Sequence, residues 1–149
     1  MAQQDKYSIK DLAHEFPTDD ACLDYLFDTL HSRECSCGGK YARIAVRKQF
    51  QCSKCRFQIA PMAGTIFEKS TTPLTSWFHA LFVFSNAKSG VSSNEMQRQL
   101  GTTYKTAWRI LHLIRKSLQQ GCEAVNQGHS QSHFKEAFTS LSGRLCLAL

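Results

Sequence analysis

Apolar positions recur at helical spacing in three stretches of the chain, and form brief β-suited runs in a fourth. Ser8 stands before Ile9-Lys10-Asp11-Leu12, and Thr18 before Asp19-Asp20-Ala21. Each is a capping hydroxyl followed by first-turn acids, so each predicts a helix start. The second start leads into Cys22, Leu23, Tyr25, Leu26, Phe27 and Leu30, one apolar face, with Pro17 separating the two helices. Asp20, Asp24 and Asp28 recur every fourth residue and predict a solvated stripe. Residues 33–60 are basic and contain glycine, with strand-like stretches at 41–46, 50–52 and 57–60.

Helical spacing returns at 71–118. Thr72 offers a capping hydroxyl before a first-turn Pro73, and Leu74, Trp77, Phe78, Leu81 and Phe84 follow. This helix is apolar nearly all round, which predicts the central, buried one. Gly90 closes the connection after it. Ser92-Ser93-Asn94-Glu95 reads as a capping box opening a short helix to Leu100, ended by Gly101. Thr102 and Thr103 then start a third helix, expected to run to about Leu118. Its core face is read as Tyr104, Ala107, Trp108, Leu111, Ile114 and Leu118. Lys105, Arg109, His112 and Lys116 form a polar face. Beyond Gly121 no period is evident. The expected fold is α+β and mostly α: a helical leader (1–32), a small β zinc ribbon (33–62), a three-helix helix-turn-helix bundle (63–120) and a weakly structured tail (121–149).

Composition narrows the class. At 42% hydrophobic the chain can build a core and is not a charge-dominated disordered one. Its longest membrane-suited run, Ala80-Leu81-Phe82-Val83-Phe84, is far below the ~20 residues of a spanning helix. The N-terminus lacks a signal-peptide pattern, so the seven cysteines suggest a reducing, cytoplasmic setting and metal ligation rather than disulfides.

The net charge of +6 divides unevenly. Residues 1–32 carry −5, residues 33–57 carry +6 and residues 88–118 carry +5. Two basic segments beside an acidic leader suggest a polyanion-binding surface, against the alternative of an uneven solvated surface. All six aspartates fall in the first 28 residues. Few carboxylates remain beyond them to hold the cations of a two-metal phosphoryl-transfer site.

Two constellations carry chemistry. Cys35-Ser36-Cys37-Gly38 and Cys52-Ser53-Lys54-Cys55 offer four thiolates to a tetrahedral metal, and structural zinc is the expected cofactor. The first pair is C-x-C, one residue shorter than the usual knuckle, which leaves a weak site or four unligated thiols as alternatives. His31 is a minor substitute ligand. The second constellation is the short helix, glycine turn and longer helix over 92–118. Thr102 and Thr103 would meet phosphates while Lys105 and Arg109 reach base edges, the alternative being an ordinary amphipathic helix with a solvated side. Cys22 lies on an apolar face and reads as buried packing. Cys122, Cys146, His129 and His133 lie in the tail without an orienting partner, so nucleophilic catalysis has little support.

The run from Phe16 to Leu26, the paired cysteines, Ala63-Gly64-Thr65-Ile66-Phe67, Pro73-Leu74 with Trp77-Phe78, and the run from Leu100 to Arg109 together resemble the front part of zinc-ribbon transposases of bacterial insertion sequences, those with an ISXO-type DDE catalytic domain. The resemblance spans residues 14–118 in order. It implies zinc on Cys35, Cys37, Cys52 and Cys55. It also implies recognition of terminal inverted repeats in double-stranded DNA by the helix bearing Thr103, Tyr104, Lys105, Thr106 and Arg109, to which the polar-face reading adds Thr102, His112 and Lys116 as DNA contacts. Leu141-Ser142-Gly143 resembles the opening of the catalytic domain, but no acid follows it, so no catalytic residue is carried over. The expectation is therefore a DNA-binding transposase fragment, nucleoid-associated, inactive in strand transfer alone, and pairing with itself or with full-length transposase. A stand-alone DNA-binding regulator or transposition inhibitor is the competing reading, and a protein-docking module is a further one.

Overall fold

The structure is a computed structural model that describes residues 8–44 and 46–126, with side chains as far as Gln119. The N-terminal heptapeptide and the segment 127–149, including Leu141-Ser142-Gly143, His129, His133 and Cys146, lie outside the described residues, as does the Cys122 side chain. Among the described residues the fold is α+β, with five helices and one small antiparallel sheet.

Helix α1 (Ile9–Glu15) opens on a complete capping box between Ser8 and Asp11. The Thr18 hydroxyl accepts from the Ala21 N–H at 3.3 Å and caps α2 (Asp19–Leu30). Strands β1 (Tyr41–Arg43), β2 (Phe50–Cys52) and β3 (Gln58–Ile59) follow in the order β1-β2-β3, with Tyr41 opposite Cys52 and Phe50 opposite Ile59. Strand β1 ends three residues earlier than its β-suited run. The chain turns after Ile44, whose N–H and carbonyl close the loop onto Gln49 and Arg47. Val46 is left on the turn, exposed.

Helix α3 (Leu74–Asn86) packs against all four other helices, the central position its sequence predicts. Its cap differs from the expectation. Pro73 occupies the N-cap position, and Thr72 lies one residue too early to reach the first-turn donors. Asp19 of α2 caps α3 instead, its Oδ1 accepting from the Thr75 N–H at 3.1 Å and the Thr75 hydroxyl at 3.2 Å. Helix α4 (Ser93–Leu100) has half a capping box: the Ser92 hydroxyl accepts from the Glu95 N–H at 3.2 Å, while the Glu95 carboxylate turns along the helix to Gln99 and Arg98. Gly101 ends it in the left-handed region at φ 61°, as only glycine does without strain.

Helix α5 (Tyr104–Asn126) departs from its predicted form in two ways. It continues through Gly121, since one glycine in a run of helix formers weakens but does not end a helix. Its core face is Ala107, Ile110, Leu111 and Ile114, while Tyr104 and Trp108 stand 51% and 50% exposed. Each four-residue step advances about 40° beyond a full turn, so Tyr104 and Trp108 rotate off the stripe on which Ile110 belongs.

One apolar cluster runs from α1 to α5 and includes Phe50 of the sheet. Phe50 stacks on Phe27 of α2 at 4.0 Å, and Tyr41 meets the same ring edge-on at 5.7 Å. Phe67 meets Trp77 edge-on at 5.4 Å, and the Trp77 indole N–H donates to the Ser70 hydroxyl at 2.9 Å. Cys22 is buried in this cluster, where desolvation pushes its thiol up to about 12.

Candidate metal centre and nucleic-acid interface

The cysteines sit on two tight turns, one leading into β1 and the other joining β2 to β3. The Gly38 N–H closes the first onto the Cys35 carbonyl at 2.8 Å, with Gly38 at φ 71°. The Arg56 N–H closes the second onto the Cys52 carbonyl at 3.1 Å, with Arg56 at φ 60°. Because Tyr41 and Cys52 are register partners, the sheet holds the two turns together. The sulfurs of Cys35, Cys37, Cys52 and Cys55 all lie within 4.8 Å of one another. Cys35 to Cys55 measures 3.6 Å and Cys37 to Cys52 measures 3.4 Å. A tetrahedral metal with bonds of about 2.3 Å to sulfur needs sulfurs about 3.8 Å apart. The donors therefore fit a tetrahedral, thiolate-loving ion, and the short C-x-C pair delivers both its thiols to the cluster. His31 does not join it; its ring packs beside Phe27 at 5.6 Å.

Backbone N–H groups point at the sulfurs and favour charge on them. The Cys37 N–H and then the Tyr41 hydroxyl, the latter at 3.4 Å, bring the Cys35 thiol down to about 6. The N–H groups of Cys55 and Lys54 lower Cys52. Cys55 receives the Phe57 N–H, but its thiol neighbours outweigh that and push it up to about 12. Four thiols this close cannot all ionise without a cation among them, which is the electrostatic condition a metal satisfies.

The sequence reading overlooked Gly39. A Cβ there would lie 2.6 Å from the Cys52 sulfur, so glycine is required for the close approach of the two turns. The glycine pair that follows the first cysteine pair was the available signal.

The sheet's cations are partly committed elsewhere. Arg33 pairs with Asp28, Arg43 with Asp20, and Lys48 with Asp19 at 3.6 Å. The acidic leader is thus more than a solvated stripe, since it docks onto the sheet. Lys40, Arg47, Lys54 and Arg56 are the exposed remainder of that segment's seven cations.

Helix α5 follows α4 after three residues and packs along it. Thr102 is half-buried, its hydroxyl without a partner. The Thr103 hydroxyl accepts from the Thr106 N–H at 3.3 Å and contacts the Thr106 hydroxyl at 3.0 Å, so both serve the helix start. Tyr104, Lys105, Trp108, Arg109, His112, Arg115, Lys116 and Gln119 are all exposed. At about 100° per residue they span one arc of about 140°. Arg115 is anchored by donating to the Val91 carbonyl at 2.9 Å. The imidazole of His112 stacks on the Trp108 indole at 5.1 Å and 7°.

Comparison with protein-family models, with curated proteins and with solved structures gives no match. Among the described residues no helix is long and apolar enough to cross a membrane.

Proposed function

We propose that the chain is a nucleic-acid-binding module in which a structural zinc ion closes the small sheet and α5 enters DNA as the second helix of a helix-turn-helix. The observation that carries this reading is the α5 arc, which gathers Lys105, Arg109, Arg115 and Lys116 on one exposed face behind a three-residue turn. Those cations suit phosphate neutralisation, and Lys105 and Arg109, the two nearest the helix start, would read base edges. Zinc suits the four-sulfur donor set better than harder cations that prefer oxygen.

The assignment to insertion-sequence transposases, with the element's terminal repeats as target, rests on the sequence resemblance alone. The test is a titration of end-containing duplex at several salt concentrations, with metal content measured on the same sample. One zinc per chain is expected, with a log–log salt slope that falls by about 0.9 for Lys116→Gln, while Lys105→Gln and Arg109→Gln lower the preference for the end sequence over unrelated duplex. Absent binding, or binding indifferent to salt, would overturn the DNA reading.

A further inference from the structure

The α5 face holds more than cations. Tyr104 and Trp108 expose half of their surface, among the largest apolar exposures of the described residues. They stand one turn apart on the arc that carries Lys105, Arg109 and Lys116. The His112 imidazole lies nearly parallel to the indole in an offset stack at 5.1 Å, and the Trp108 side chain still keeps half of its surface open to solvent.

Duplex bases present edges in the grooves, and a flat aromatic face reads edges poorly. Unpaired bases present their own flat faces, and aromatic platforms flanked by cations are how sequence-tolerant single-strand binding is built. A second copy of this chain is a poor occupant, since bringing two such faces together juxtaposes four like charges from each. Resting on the nucleic-acid reading of α5, we propose that this face binds unpaired DNA, with a base stacked on the indole of Trp108 beside Tyr104 and with Lys105, Arg109 and Lys116 on the flanking phosphates. The helix then distinguishes frayed or single-stranded DNA from intact duplex.

The protein carries its own probe. It has two tryptophans, and Trp77 is 1% exposed and hydrogen-bonded to Ser70, so solvent-facing emission comes from Trp108. The experiment titrates the zinc-loaded full chain with oligothymidylate of about 16 nucleotides and with a closed hairpin duplex. The single strand is expected to quench tryptophan emission strongly, and the hairpin, whose bases are already stacked on one another, to change it much less. Trp108→Ala should weaken single-strand binding by about 5- to 150-fold, Trp108→Phe should retain most of it, and both should keep the parent's affinity for the hairpin. Because the ring is half in solvent, helical circular dichroism should not change. Equal loss on both DNAs, or single-strand binding without quenching, would overturn the stacking proposal while leaving the DNA reading standing. Binding to neither DNA would overturn both.

Discussion

Asp19 does three things at once: it belongs to the first turn of α2, it caps α3 through Thr75, and it faces Lys48 of the loop between β1 and β2. Partial burial raises its carboxyl, but the backbone N–H groups of Thr75 and Leu74, the Thr75 hydroxyl and the Lys48 charge together outweigh that, and the net shift is downward. A carboxylate whose folded value is depressed stabilises the fold above its ordinary value of 3.8 and loses that contribution as pH falls below it. Asp19→Ala should cost about 1–2 kcal/mol at neutral pH, the size of a lost cap, while Asp19→Asn keeps the acceptor and loses less. Urea unfolding at pH 7 and again near pH 3 checks this, since the cost of Asp19→Ala should shrink at the lower pH. Gly39 is a second single-residue dependence. Gly39→Ala drives a methyl into the Cys52 sulfur, so it should abolish stoichiometric zinc retention, measured by metal analysis after gel filtration. No helix-period or strand-period reading reaches either residue, because each acts through a partner distant in sequence or in another turn.

Elements were legible where one physical pattern dominated. Alpha-helices α1, α2 and α4 announced themselves by capping hydroxyls, α3 by its apolar girth, and the sheet by β-suited runs beside the cysteine turns. Alpha-helix α5 was legible as a helix but not in its facing, because aromatic residues at four-residue steps imitate a core stripe while turning away from it. The four cysteines were readable as a set from their spacing, although spacing alone could not show that the C-x-C pair reaches the cluster. The strands run two or three residues, too short to persist unaided. The sulfur cluster and the packing of Phe50 must hold them. Removing the metal with a chelator should therefore increase hydrogen exchange at the β1 and β2 amides by orders of magnitude, with α4 and the start of α5 least affected. Equal protection with and without metal would show that the sheet does not depend on it.

At the scale of the molecule, leader, sheet and helices bury a single apolar cluster rather than three. Ion pairs from Asp19, Asp20 and Asp28 reinforce that joint, but such surface pairs are worth little, about 0–1 kcal/mol each. Packing decides it, and the decisive contact is the stack of Phe50 on Phe27. Both rings are almost fully buried, so Phe50→Ala should cost about 3–5 kcal/mol, far more than a three-stranded sheet contributes by itself. Two consequences separate a shared core from a tethered sheet. Denaturation of a Trp108→Phe protein loaded with cobalt, whose thiolate bands stand clear of the protein's own absorbance, should follow one transition whether monitored by Trp77 emission in the helical core or by thiolate–metal absorbance at the sheet. Phe50→Ala should shift both signals to the same lower midpoint. If absorbance were lost well before Trp77 emission changed without the Phe50 substitution, the sheet would be an independent unit.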